Sequence, residues 1–122
     1  MTQVRLPEAE LTVMGCVWEI GDAVTSSAVA EKLGGEKSWS NTTILTFLSR
    51  LAEKGFLKVR KQGKLNVYEP LVCREEYVNT ESRSFIERIH AGSVTNLVAC
   101  LYGAGSINET DLEELRRFID ER

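Results

Sequence analysis

At 122 residues and 43% hydrophobic content, the chain has room for one small globular domain and an appendage, but not for two full domains. No run approaches the roughly 18 apolar residues of a membrane helix, and no basic-then-apolar start marks a signal peptide, so the expectation is a cytoplasmic protein with no membrane partner. The net charge of −3 argues mildly against nucleic acid, but it averages two unlike halves: residues 1–72 carry nine Lys/Arg against eight Asp/Glu, residues 73–122 six against ten.

In chain order, Pro7 is placed as the first residue of a helix in which Leu11, Met14, Val17 and Trp18 recur at helical spacing until Gly21 stops it. Asp22-Ala23-Val24 has room only for a bridging strand. Thr25 then caps a short second helix, with Ala28, Val29 and Leu33 inward and Gly34-Gly35 at its end. Trp39, just ahead of the next cap, is read as packing onto the helix that follows. That third helix starts at the cap Ser40 and ends at Gly55, and its Ile44, Phe47, Leu48 and Leu51 make one apolar stripe at i, i+3, i+4, i+7. The opposite face carries Thr42, Thr46, Ser49 and Glu53, flanked by Thr43, Leu45 and Arg50.

Beyond Gly55, apolar and basic residues alternate through Phe56–Arg60 and again, after Gln62-Gly63, through Leu65–Glu69. Period-two alternation around a glycine-bearing turn predicts an antiparallel hairpin displaying Lys58, Arg60 and Asn66 on its outer face, ended by Pro70. Three helices followed by a two-stranded wing is the order of a winged helix-turn-helix, whose third helix enters the major groove. The fold class expected is therefore mainly α with a small β-hairpin, a winged helix-turn-helix over residues 1–72.

Residues 73–122 change character. Arg74–His90 reads as a charged helix with Tyr77, Val78, Phe85, Ile86 and Ile89 as its sizeable apolar residues, and Ala91-Gly92 interrupts it. Ser93 caps the next, with Val94, Leu97, Val98, Leu101 and Tyr102 along one face up to Gly103-Ala104-Gly105. Thr110 with Glu113 has the form of a capping box opening a last helix with Leu112, Leu115, Phe118 and Ile119 inward. Three such stripes in fifty residues cannot all be buried within one chain, so a homodimer interface is expected at Phe85, Ile89, Val94, Leu97, Val98, Leu101, Leu112, Leu115, Phe118 and Ile119. The alternative is that these helices fold back on the winged helix.

The chemistry implied is binding. Across residues 50–64, Arg50, Lys54, Lys58, Arg60, Lys61 and Lys64 oppose Glu53 alone, a local +5 beside the third helix. Small hydroxyls on that helix let it sit deep in a groove, so Ser40, Thr42, Thr43, Thr46 and Ser49 are the candidates facing DNA. Arg50 with Lys58, Arg60, Lys61 and Lys64 suits phosphates, although lysines on an edge hairpin also discourage aggregation without any ligand. An enzyme is not expected, because His90 is the single histidine and no nucleophile–base or paired-carboxylate set can be assembled from spacing. Cys16, Cys73 and Cys100 are odd in number, dispersed and without CxC or CxxC spacing, so no disulfide, metal or cofactor is expected.

The runs Leu11-Thr12-Val13-Met14, Val17-Trp18-Glu19-Ile20-Gly21, Trp39-Ser40 with Thr43-Ile44, Thr46, Arg50-Leu51 and Lys54-Gly55-Phe56, then Tyr68, Leu71 and Leu112-Glu113-Glu114-Leu115-Arg116, resemble the penicillinase-repressor (BlaI/MecI/CopY) family over nearly the whole chain. The resemblance implies a dimeric winged-helix repressor on a palindromic double-stranded DNA operator, of antibiotic-resistance or stress genes, with the C-terminal helices as dimer interface. It also implies a regulatory protease as partner, cutting at the pair aligned with Asn96-Leu97. The chain departs from the family pattern at Asn41-Thr42 in place of Pro-Lys, at Leu45 in place of a basic residue, at Leu97 in place of Phe, and in lacking the C-terminal CxC pairs of copper-responsive members. From another class, the alternative is a winged helix that serves as a protein-interaction module without sequence-specific DNA binding.

Overall fold

A computed structural model of the chain describes residues 5–122. Among these residues the elements run α1 (Glu8–Ile20), α2 (Ser26–Leu33), α3 (Asn41–Glu53), β1 (Leu57–Gln62), β2 (Leu65–Pro70), α4 (Arg74–His90), α5 (Val94–Gly103) and α6 (Glu109–Glu121). They form two compact units, one reaching Thr80 and one spanning Glu81–Arg122.

In the first unit, Pro7 is the N-cap of α1 and not its first helical residue: its ψ of 156° is extended, so the helix starts at Glu8. The buried stripe of α1 is Glu10, Val13, Met14, Cys16 and Val17, while Leu11, expected inward, is exposed. The stripe is rotated because a carboxylate, paired from the far side, occupies the inward position. Thr25 caps α2 by accepting from the Ala28 amide at 3.2 Å, and Val29 and Leu33 are buried with Ala28 packed beside them. α3 begins as expected at Ser40, whose Oγ accepts from the Thr43 amide at 3.1 Å. Ile44, Leu48 and Leu51 go into the core, and half-buried Phe47 meets Trp39 edge-on at 4.9 Å between ring centroids.

The exit from α3 sets the position of the wing. Lys54 is the C-cap and Gly55 takes φ +85°, which closes a Schellman turn: the Gly55 amide donates to Ala52 O and the Phe56 amide to Leu51 O. Phe56 and Leu51 are both buried there. β1 and β2 then pair antiparallel in the register Leu57↔Pro70 through Gln62↔Leu65, so the turn residues are Gly63-Lys64, one place later than the Gln62-Gly63 expected. Positive φ at Gly63 alone matches the II′ turn of two-residue hairpins. Val24 forms a bridge with Tyr68, donating to its carbonyl and accepting from its amide.

The helix following the wing belongs partly to this unit. Tyr77, on the first turn of α4, is 5% exposed and its hydroxyl accepts from the Leu6 amide at 2.9 Å. Its ring lies 5.8 Å from Trp18 and 5.7 Å from Phe56. The compact first unit consequently runs past Pro70 into α4, later than the 72/73 boundary expected from sequence.

In the second unit, Ser93 caps α5 through the Asn96 amide at 3.0 Å. The corner before it holds Ala91 at φ +50° and Gly92 at φ +80°. α6 starts earlier than expected: the capping box is Asn108 with Asp111, each side chain accepting from the other's amide (3.0 and 2.9 Å), not Thr110 with Glu113. Asn108 wins because it stands one residue ahead of Glu109, with an acidic residue at the third helical position.

Candidate nucleic-acid interface

With Ile44, Leu48 and Leu51 inward, Thr42, Thr46, Ser49 and Glu53 are exposed along the opposite side of α3, as their spacing predicts. Their hydroxyls are not equivalent. Ser40 Oγ holds the Thr43 amide and lies 3.0 Å from Thr43 Oγ1, so this pair forms the cap itself. Thr46 Oγ1 donates to Thr42 O at 3.0 Å, which leaves it lone pairs to offer as an acceptor and a methyl to present outward. The Thr42 and Ser49 hydroxyls have no protein partner among the described residues. Leu45, expected on the flank of this face, is half-buried and packs against the core.

The +5 cluster does not survive intact. Lys54 Nζ donates to the buried Glu10 carboxylate on α1, and Arg60 Nε to Glu69 on the neighbouring strand. Arg50, Lys58, Lys61 and Lys64 remain exposed without an ion-pair partner among the described residues. The register divides them: Lys58 and Arg60 share a face with Glu69, Val67 and Leu65, whereas Lys61 lies opposite Asn66 on the face of Val59 and Tyr68. Asn66 therefore does not accompany Lys58 and Arg60. The inward face also fails to stay covered along the hairpin. Leu57 and Tyr68 are buried, but Val59 on the same face is 42% exposed, because the wing extends past the core that Leu57 and Tyr68 reach; on the other face Val67 is buried and Leu65 is 60% exposed.

Two residues that bear on this surface, one of them buried beneath it, carry no signal in the sequence. Glu10 looks like any first-turn acid of a helix. Lys37 reads as loop, yet its ammonium sits 5.7 Å from the Trp39 ring centroid beside the start of α3, a cation–π contact that holds a cation near that helix end.

In the second unit no residue of α5 or α6 is buried. Leu97, Val98, Leu101 and Leu112 are half-buried, while Phe85, Ile89, Val94, Leu115, Phe118 and Ile119 are exposed, Phe118 at 68%. Asn96 and Leu97 lie in the first turn of α5, where the Leu97 amide donates to Ser93 O at 3.2 Å. Asn96 Oδ1 bonds His90 Nδ1 at 2.7 Å, so the lone histidine braces the corner between α4 and α5. No three His/Cys/Asp/Glu side chains converge as a metal site among the described residues, and no described helix is long and apolar enough to cross a membrane.

Three helices closed by an antiparallel wing, with a polar third-helix face and free cations on the hairpin, define a winged helix-turn-helix protein. More narrowly, the chain belongs to the penicillinase repressor family, whose family model matches residues 6–121. It is 29% identical over 117 residues to the penicillinase repressor of Bacillus licheniformis, covering 96% of this chain and 91% of that one. Among solved structures it is similar to the DNA-binding domain of the repressor BlaI (33% identity, TM-score 0.53, covering 63% of this chain and 94% of that one). It is likewise similar to monomeric Bacillus licheniformis BlaI in complex with the blaP half-operator (34% identity, TM-score 0.50, covering 61% and 89%).

Proposed function

We propose that the chain is a transcriptional repressor that binds a palindromic double-stranded DNA operator as a homodimer. One observation carries the reading: in a member of the penicillinase repressor family, the exposed hydroxyl face of α3 leads through Arg50 into a wing whose Lys58, Lys61 and Lys64 are unpaired. The N-terminal part of α3 enters the major groove, where Thr42, Thr43 and Thr46 meet base edges, Ser49 lies behind them, and the Ser40 cap aims the helix end at the backbone. Arg50, Lys58, Lys61 and Lys64 hold phosphates, and Arg60 joins them where Glu69 releases it.

Residues 1–72, completed by the first turn of α4, act as the DNA-binding part, and the remainder of 73–122 as the dimerisation part. Support for the second role is the apolar surface left open at Phe85, Ile89, Val94, Leu115, Phe118 and Ile119, beside half-buried Leu97, Val98, Leu101 and Leu112. Two-fold pairing sets the reading helices about 34 Å apart, one turn of duplex, and occupancy of the site excludes polymerase. Release follows from anything that weakens the dimer, since one half-site retains only part of the binding energy. Cleavage at Asn96-Leu97 by a regulatory protease is one such route, and it requires the first turn of α5 to unwind.

The test is a gel-shift titration against the DNA upstream of the chain's own gene, repeated at several salt concentrations. A specific complex whose affinity falls steeply with salt is expected, with four to five phosphate contacts per copy, and so eight to ten per dimer, giving a slope of about −8 in log–log form. Equal binding to unrelated duplex, or no salt-sensitive complex, overturns the reading.

A further inference from the structure

Glu10 is the one buried charged residue among the described residues of the first unit, 4% exposed, and its partner Lys54 is the C-cap that ends the reading helix before the wing. A carboxylate buried there is costly unless paired, and two well-packed apolar residues in its place are as a rule no less stable. Stability alone therefore does not account for it. What an ion pair supplies and an apolar contact does not is a fixed point, because the ammonium must stay within hydrogen-bonding distance of one carboxylate oxygen.

The place of that fixed point is informative. The Lys54 amide donates to Arg50 O, Gly55 at φ +85° turns the chain, the Phe56 amide returns to Leu51 O, and β1 begins at Leu57. The Lys54 ammonium also stands at the negative end of the α3 dipole. One contact from α1 thus pins the junction where the reading helix hands over to the wing.

We infer that Glu10 is a positioning residue for DNA selection, acting through Lys54 to set the angle between α3 and the hairpin so that both engage one half-site together. The inference rests on the DNA-binding reading. It makes Lys54 a structural cation, unavailable to phosphate, although it belongs to the most basic stretch of the chain.

The sign of one substitution separates this from simple electrostatics. Glu10→Gln leaves Lys54 charged, replaces the ion pair with at most a weaker contact to a neutral amide oxygen that no longer pins it, and raises the net charge by one. If Lys54 were only a phosphate cation held in reserve, Glu10→Gln would tighten binding to operator and to random duplex alike. As a positioning defect it lowers the operator-to-random affinity ratio about tenfold, the scale of one misread base pair, while random-duplex affinity holds or rises. The double variant Glu10→Leu with Lys54→Met, packed but unpinned, keeps the urea midpoint and shows the same drop in ratio. An unchanged ratio in either variant, with both folded, overturns the inference.

A measurement without DNA keeps the two readings apart. Residual dipolar couplings of backbone amides in α3 and β1–β2 report their mutual angle in free protein, and Glu10→Gln is expected to change it. An unchanged angle overturns the inference whatever the DNA result, whereas a wild-type chain that does not select its operator overturns the functional proposal alone.

Discussion

Tyr77 offers a quantitative check on where the first unit ends. Its hydroxyl is the partner of a buried backbone amide, Leu6, and its ring is wedged between Trp18 and Phe56. Tyr77→Phe keeps the ring and orphans the amide, which costs about 1–3 kcal/mol, the desolvation penalty of a buried unsatisfied donor. Tyr77→Ala removes the ring too and leaves a cavity among Trp18, Phe56 and Leu6, for a total of about 3–5 kcal/mol. In a unit of this size each kcal/mol lowers the midpoint temperature by roughly 4–8 °C. Urea unfolding followed by tryptophan fluorescence suits the question, because Trp18 and Trp39 both lie in the first unit and the second contains none. A chain ending after Thr80 should outlast one ending after Val72 for the same reason. A Tyr77→Ala chain within the roughly ±0.5 kcal/mol typical of a surface change would refute this assignment of α4's first turn.

Removing the α3 cap with Ser40→Ala should cost about 1 kcal/mol and speed hydrogen exchange at the Thr43 amide, read by NMR. Burial, and after it the Glu19 carboxylate, push the Cys16 thiol above its usual value, so the folded state keeps the proton that the unfolded chain gives up. Stability is full below the ordinary thiol range and falls as pH rises toward the folded value, a decline that Cys16→Ala should flatten in urea titrations at stepped pH. In native protein a thiol reagent should label exposed Cys73 and Cys100 quickly and Cys16 only on unfolding. Replacing Phe118 and Ile119 with Ala should shift sedimentation from dimer toward monomer with the tryptophan-detected midpoint unchanged; an unaltered mass would remove α6 from the proposed interface.

Where a decision was local, the residues announced it. Ser40, Thr25 and Ser93 are caps because a hydroxyl finds an amide three residues on, and the stripe Ile44, Leu48, Leu51 follows from helical periodicity. Local patterns mislead where two are equally good. Thr110-Glu113 and Asn108-Asp111 both have capping-box spacing, and only the actual start of α6 separates them. Asn66 falls on the face opposite to the one expected, because pairing across a two-residue turn sets even residues of β1 against odd residues of β2. Leu11 and Glu10 sit side by side on α1, and which one turns inward depends on a lysine of another helix.

The amino-acid sequence by itself determined the order of elements, the capped third helix and the wing, since caps, turns and periodicity act within a few residues, and it carried the resemblance to the family. Only tertiary structure decided which cations are free and where the winged helix ends. Glu10 meets Lys54 across 44 positions and Leu6 meets Tyr77 across 71, and the partner at such distances is set by how the helices pack. A basic stretch can be counted from letters, but whether each charge faces solvent or a carboxylate is a property of the fold.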